Sequence, residues 1–212
     1  MRINRILIVI ALTISLASVM AVAACADSFD VSLNTSSLSG TQILVFGFTD
    51  GDGVADNSAT ITNFNFGGGA AQGSPTYFGT DTSGSLSSSV FLDDVDFSSL
   101  FYQSFTVGSS LSFLLNVTDN FAGGTPDAFA MSLCAADFSQ CYSDDFNSGA
   151  DLVLNIPGTA LTPSSFILNP ASLQNLPAPV VTAASSSVPE PSAALLLCAG
   201  LAFFALLFRA NK

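Results

Sequence analysis

The chain has 212 residues and a formal net charge of −12, from four Lys or Arg against sixteen Asp or Glu, with no His. The four cationic residues, Arg2, Arg5, Arg209 and Lys212, all lie in the terminal segments, so residues 27–187 hold fifteen Asp and no Lys, Arg, His or Glu. Such a body is excluded from gripping nucleic acid, whose phosphates require Lys or Arg, and it can build neither a Ser–His or Cys–His nucleophile nor a histidine zinc site.

In chain order, Arg2 and Arg5 precede an apolar run from Ile6 to about Val22, and small residues follow at Ala23, Ala24, Cys25 and Ala26. Basic start, apolar middle and small-residue end form the layout of a secretory signal peptide, expected over residues 1–26, which engages the Sec machinery and signal peptidase. Two cleavage readings stand. "ACA" before Asp27 fits the ordinary A-x-A pattern, whereas "VAAC" resembles a lipobox that would leave Cys25 lipidated.

From residue 27 the pattern turns to short alternating runs. "FDVSL" from Phe29, "TQILVFGF" from Thr41, "ATITNFNF" from Ala59 and "SSSVFL" from Ser87 read as strands. "YQSFTV" from Tyr102 follows. "LSFLLNVTDN" then places Leu111, Phe113, Leu115 and Val117 on one face, and "DAFAMSLCA" does the same with Phe129, Met131 and Leu133. "DLVLNI" from Asp151 and "SFIL" from Ser165 complete the set. Gly, Asn, Asp and Pro clusters separate these runs, and only "VDFSSLF" has room for a helical turn. The expected fold is all-β, an antiparallel β-sandwich of jelly-roll type over residues 27–175, with sixteen of the chain's nineteen Phe available for its core. Cys134 and Cys141 are the even pair left in an oxidising compartment, which predicts a disulfide.

Chemistry in this body rests on carboxylates. Asp93, Asp94 and Asp96, or Asp144 and Asp145, offer the residue type of a glycosidase pair. Adjacent Asp residues on a strand or loop give no sign of the split acid and base such a site needs, so no enzyme is expected. "DGDGVADN", Asp50 to Asn57, alternates carboxylates around a glycine and resembles the calcium loops of thrombospondin type 3 repeats. On that pattern Asp50, Asp52 and Asp56 match three acids and Gly53 the glycine, while Phe48 occupies the first acid's place. Calcium at Asp50, Asp52 and Asp56 therefore stands beside a plain hairpin turn. Tyr77, Tyr102 and Tyr142 are the aromatics weighed for stacking on sugars. Thr60 and Thr62 form a single T-x-T of the kind found on ice-binding faces.

After Ile156 the chain becomes rich in Pro, Ser and Ala, and residues 176–187 read as an extended linker stiffened by Pro177 and Pro179. Then come Val188, Pro189, Glu190, Pro191 and Ser192, a sixteen-residue uncharged run from Ala193 to Phe208, and Arg209. As a helix that run spans about 24 Å, short of a hydrocarbon core of roughly 30 Å. It is expected as a transmembrane helix over 193–208 that anchors only in transit, with Arg209 and Lys212 held on the cytoplasmic side.

These three parts over residues 188–212 resemble the PEP-CTERM sorting signal of Gram-negative bacteria. The resemblance implies exosortase as partner, passage through the inner membrane, and residence at the surface or in the extracellular matrix of a bacterium that makes exopolysaccharide. The body, through "DGDGVADNSATITNFNFGGGAAQGSPT" and "LSFLLNVTDNFAGGTPDAFAMSL", also resembles a group of PEP-CTERM proteins to which no activity is attached. The expectation is an exported, exosortase-sorted surface or matrix protein without catalysis and linked to exopolysaccharide or biofilm; the alternative is a calcium-dependent carbohydrate-binding module.

Overall fold

The computed structural model describes residues 26–120, 124–145, 147–157 and 165–184. The strands are β1 (Ala26–Asn34), β2 (Thr41–Thr49), β3 (Ser58–Asn65), β4 (Ala70–Ala71), β5 (Thr76–Phe78), β6 (Ser83–Gly84) and β7 (Val90–Asp93). They continue as β8 (Ser98–Thr106), β9 (Ser110–Thr118), β10 (Asp127–Ala135), β11 (Leu152–Ile156), β12 (Ser165–Leu168) and β13 (Val180–Ala183).

Two antiparallel sheets result. One has six strands in the order β13-β1-β9-β3-β7-β6; the other runs β12-β11-β10-β2-β8-β4, with β5 also paired to β8. Consecutive strands repeatedly change sheet, as from β1 to β2 to β3 and from β8 to β9 to β10. The period-two runs put their large side chains between the sheets. On β9, Leu111, Phe113, Leu115 and Val117 are all buried, and on β8, Phe101 and Phe105 face them from the other layer. Phe46 on β2 sits at the centre, its ring 5.5 Å from Phe113, 5.7 Å from Phe129 and 6.0 Å from Phe101. Aromatic rings from four strands and both sheets thus meet in one cluster, and each buried ring removes a large apolar area from water.

"VDFSSLF" forms no helical turn: its second half is the start of β8, because Ser99 and Phe101 alternate inward against β2. The larger correction concerns the segment read as a linker from residue 176. Leu176 is buried, and Val180–Ala183 pairs with β1 in the register Phe29↔Ala183 to Ser32↔Val180. Pro177 and Pro179 lie just before the strand, where a missing N–H costs no ladder bond, and the β-branched Val180, Val181 and Thr182 suit an edge strand. The sandwich therefore extends to at least residue 183. Apart from Ala26, which opens β1, the signal-peptide segment lies outside the described residues, as does the 193–208 run. Among the described residues no helix is long and apolar enough to cross a membrane.

Candidate functional site

The β2–β3 loop is built by its own carboxylates. The Gly53 N–H donates to Asp50 Oδ1 at 2.6 Å and the Val54 N–H to Asp52 Oδ1 at 2.8 Å. These are local side-chain turns of the type Asp favours, with Gly53 supplying the left-handed φ of 82°. Two residues from elsewhere lock the loop. Asp127, at the start of β10, accepts the Gly51 N–H at 2.8 Å on Oδ1 and Asn57 Nδ2 at 2.8 Å on Oδ2. Asp94, just after β7, accepts the N–H groups of Asn57 at 2.7 Å and Asp56 at 3.1 Å on Oδ2. Gly51 is required by space, since a Cβ there would lie 2.1 Å from the Pro126 carbonyl oxygen.

Asn57 joins these pieces. Its Nδ2 reaches Asp127, Asp56 Oδ1 at 2.9 Å and the Asn120 carbonyl at 2.9 Å, while its Oδ1 accepts the Asn120 N–H at 2.7 Å. Asn120 Nδ2 answers by donating to the Asp56 carbonyl at 2.7 Å. Loops from four places in the sequence are thereby drawn into one corner.

Carboxylates crowd there. Asp50, Asp52 and Asp127 bring oxygens within 4.8 Å of one another, and so do Asp56, Asp94 and Asp127. At that separation two unit charges repel by about 3 kcal/mol for an effective dielectric of ~20. That exceeds the ~1 kcal/mol net of an ordinary hydrogen bond, so the corner favours a proton or a cation. Burial, foremost, raises the Asp56 pKa, with the charges of Asp52, Asp94, Asp127 and Asp50 acting in the same direction. Asp94 is also raised, chiefly by burial, against the lowering effect of the N–H groups it accepts. With no cationic side chain between residues 27 and 187, the relief must come from solution. Hard oxygen donors at this density are the ligand type of calcium.

The sequence motif is thus divided. Asp50 and Asp52 fall in one trio and Asp56 in the other, and Asp127 is common to both. Asp127 and Asp94 escaped the sequence reading as calcium ligands because they lie 71 and 38 residues from Asp56, and no local spacing encodes such a meeting. The other paired acids hold loops in place. Asp96 accepts Thr80 Oγ1 at 2.8 Å, Asp144 accepts the Ser172 N–H at 3.0 Å, and Asp145 accepts the Asn147 N–H at 3.0 Å. Asp93 is buried with Oδ1 lacking a partner, and burial raises its pKa.

Among the tyrosines, Tyr77 donates to the Gly84 carbonyl and Tyr142 to Gln42 Oε1 at 2.6 Å. Tyr102 points outward from β8 and meets the edge of Phe138 with ring centroids 5.1 Å apart. Thr60 and Thr62 alternate outward on β3. Cys134, at the end of β10, is disulfide-bonded to Cys141, closing the turn that carries Phe138.

Val188, Pro189, Glu190, Pro191, Ser192 and Arg209 lie outside the described residues. Their sequence nevertheless decides the sorting of the chain: residues 187–212 match the family model of the PEP-CTERM protein-sorting motif. The chain carries a PEP-CTERM sorting signal. That signal marks an exported protein handed to exosortase and anchored at the membrane in transit. No curated protein and no solved structure matches the chain.

Proposed function

We propose that this exosortase substrate is a non-catalytic protein of the cell surface or extracellular matrix of a Gram-negative bacterium, associated there with exopolysaccharide. The observation that carries the reading is the PEP-CTERM motif at residues 187–212. The body is consistent with it: a sandwich without a single cation has no lever for anionic partners and no His or Lys for nucleophile activation. The resemblance of the body to other PEP-CTERM ectodomains, and a jelly-roll-like weave in which consecutive strands cross between sheets, belong to the same reading. It is tested by fractionating host cells into membrane, matrix and medium. The chain is expected in the matrix, and is expected to shift to the medium when polysaccharide synthesis is deleted. Unchanged retention without polysaccharide removes the association.

A second reading, a calcium-dependent carbohydrate-binding module, is favoured by one observation, the convergence of Asp56, Asp94 and Asp127. Calcium would be held by these carboxylates, leaving open coordination positions for sugar hydroxyls.

A further inference from the structure

The outer face of the seven-stranded sheet differs from the rest of the surface. Its registers set Phe78, Leu100, Gly47, Ala130, Val153 and Ile167 side by side in one row across six strands. At a strand spacing of about 4.8 Å the row is about 24 Å long. Gly47 and Ala130 keep its centre low, with larger side chains at both ends. Phe78 is 69% exposed and Ile167 50%. The rows on either side present small and hydroxyl-bearing residues together with Val45, Asn155 and Tyr102. The only acid in the strands of this sheet is Asp127, whose side chain is buried.

Phe138 leans over this face against Tyr102, 47% exposed and at a left-handed φ of 55°. Left-handed backbone is disfavoured for a bulky residue. It is held by the Phe138 N–H bond to the Ala135 carbonyl at 2.9 Å and by the Cys134–Cys141 bridge.

Charge decides what such a face can take. An anionic partner is repelled by a body with fifteen Asp and no cation. A cationic one is drawn to the loops, where the carboxylates are. A second copy brings fifteen more Asp and is opposed by the same repulsion. A neutral partner remains, one that is long, with apolar faces for the aromatic and aliphatic row and hydroxyls for its flanks.

We propose that this face binds a neutral polysaccharide chain laid along the row, with Phe78 and the Tyr102–Phe138 pair against the C–H faces of its rings. The proposal rests on the exopolysaccharide reading above and supplies its contact surface. The test uses the full-length chain in mild detergent with EDTA present, on immobilised amylose, dextran and cellulose, and on alginate as the anionic control. At least one neutral polymer should retard the parent, and alginate should not. Phe78→Ser and Phe138→Ser should each weaken retardation about tenfold. Phe97→Ser, which changes a side chain 77% exposed beside the acidic corner, should leave it unchanged. The proposal is overturned by no retardation on any neutral polymer, by retention of full binding in both face variants, or by equal loss in Phe97→Ser. Light scattering covers the remaining occupant: a dimer that the face variants dissolve, without loss of glycan binding, assigns the face to a second copy and also overturns it. In cells, face variants that stay in the matrix with the parent sink this surface alone, whereas a parent absent from the matrix sinks the broader reading.

Discussion

The acidic corner and the outer face of the seven-stranded sheet belong to one sandwich and are made in opposite ways. The face follows from strand register, with each residue placed by its neighbours two positions away. The corner is assembled from positions 50–57, 94, 120 and 127 by hydrogen bonds between loops. One is an apolar row flanked by hydroxyls with no exposed acid in its strands, the other is crowded with carboxylates. The difference teaches where this chain keeps its charge: in turns and at strand ends, away from the middle of the larger sheet. A domain with no cations buries its acids only at strand ends and in the adjoining loops, where Asp94, Asp127 and Asp151 meet N–H donors, since an unpaired buried charge is costly.

The sharpest way to break that contrast is Asn57→Leu. It removes the amide that ties Asp56, Asn120 and Asp127 together and leaves a buried corner of unpaired acceptors. A loss of about 3–5 kcal/mol is expected from urea unfolding, while glycan retardation by any still-folded protein should persist. Unchanged stability would mean that solvent already satisfies the corner.

Cys134→Ser with Cys141→Ser acts on the other region. Opening a loop of this length should cost about 2–3 kcal/mol by chain entropy, and it should loosen Phe138 without touching the corner. Labelling of the secreted, unreduced protein should find neither Cys134 nor Cys141 reactive; two labelled thiols would contradict the bridge.

Acidity sharpens the comparison further. Burial pushes Asp151 up to about 7, with the Asp144 charge adding to the effect and the Leu133 N–H opposing it. The unfolded carboxyl titrates near ~3.9. Between these values the folded state keeps a proton that the unfolded state has released, so stability falls as pH rises through this window and levels off above it. Going from pH 7.5 to pH 5 should stabilise the fold by about 2 kcal/mol, and Asp151→Asn should remove most of that gain. The raised Asp56, Asp93 and Asp94 act with the same sign. A flat profile in the parent would refute the assignment.

Calcium should have the smallest effect. At tenfold excess over its Kd it stabilises by about 1.4 kcal/mol through mass action, read as a rise in Tm over a magnesium control. Asp94→Asn should abolish the rise. Asp52→Asn should spare it if the trio of Asp56, Asp94 and Asp127 is the one used.

The layers were legible because alternation is a local property. "LSFLLNVTDN" and "DAFAMSLCA" name their buried faces without help from the rest of the chain. The two- and three-residue strands β4, β5 and β6 were not, since pairing to a neighbour is all that defines them. β13 was masked by the prolines before it and the serines after it, a composition that suits a linker until β1 is placed beside it. At the corner, "DGDGVADN" announced its turn and its oxygens, but only two acids of one carboxylate trio and one of the other. The partners Asp94 and Asp127 are chosen by the packing of two sheets, which no short window contains.

The edge strand β13 also sets a clearance. Its last described neighbour, Ala184, still donates to the Ser28 carbonyl at 2.8 Å, so only Ser185, Ser186 and Ser187 separate the sandwich from Val188. Four residue steps span at most about 14 Å, whereas a free spacer from residue 176 would have given roughly 37 Å in extended form. A processing enzyme that grasps Pro189–Glu190–Pro191 must therefore work in the shadow of the folded body or peel β13 from β1. The peel would begin at the Ala183–Phe29 pair and release four residues in turn. Any tension on the tail enters the sandwich at that same pair, making this four-residue edge pairing the place where tether and domain part first.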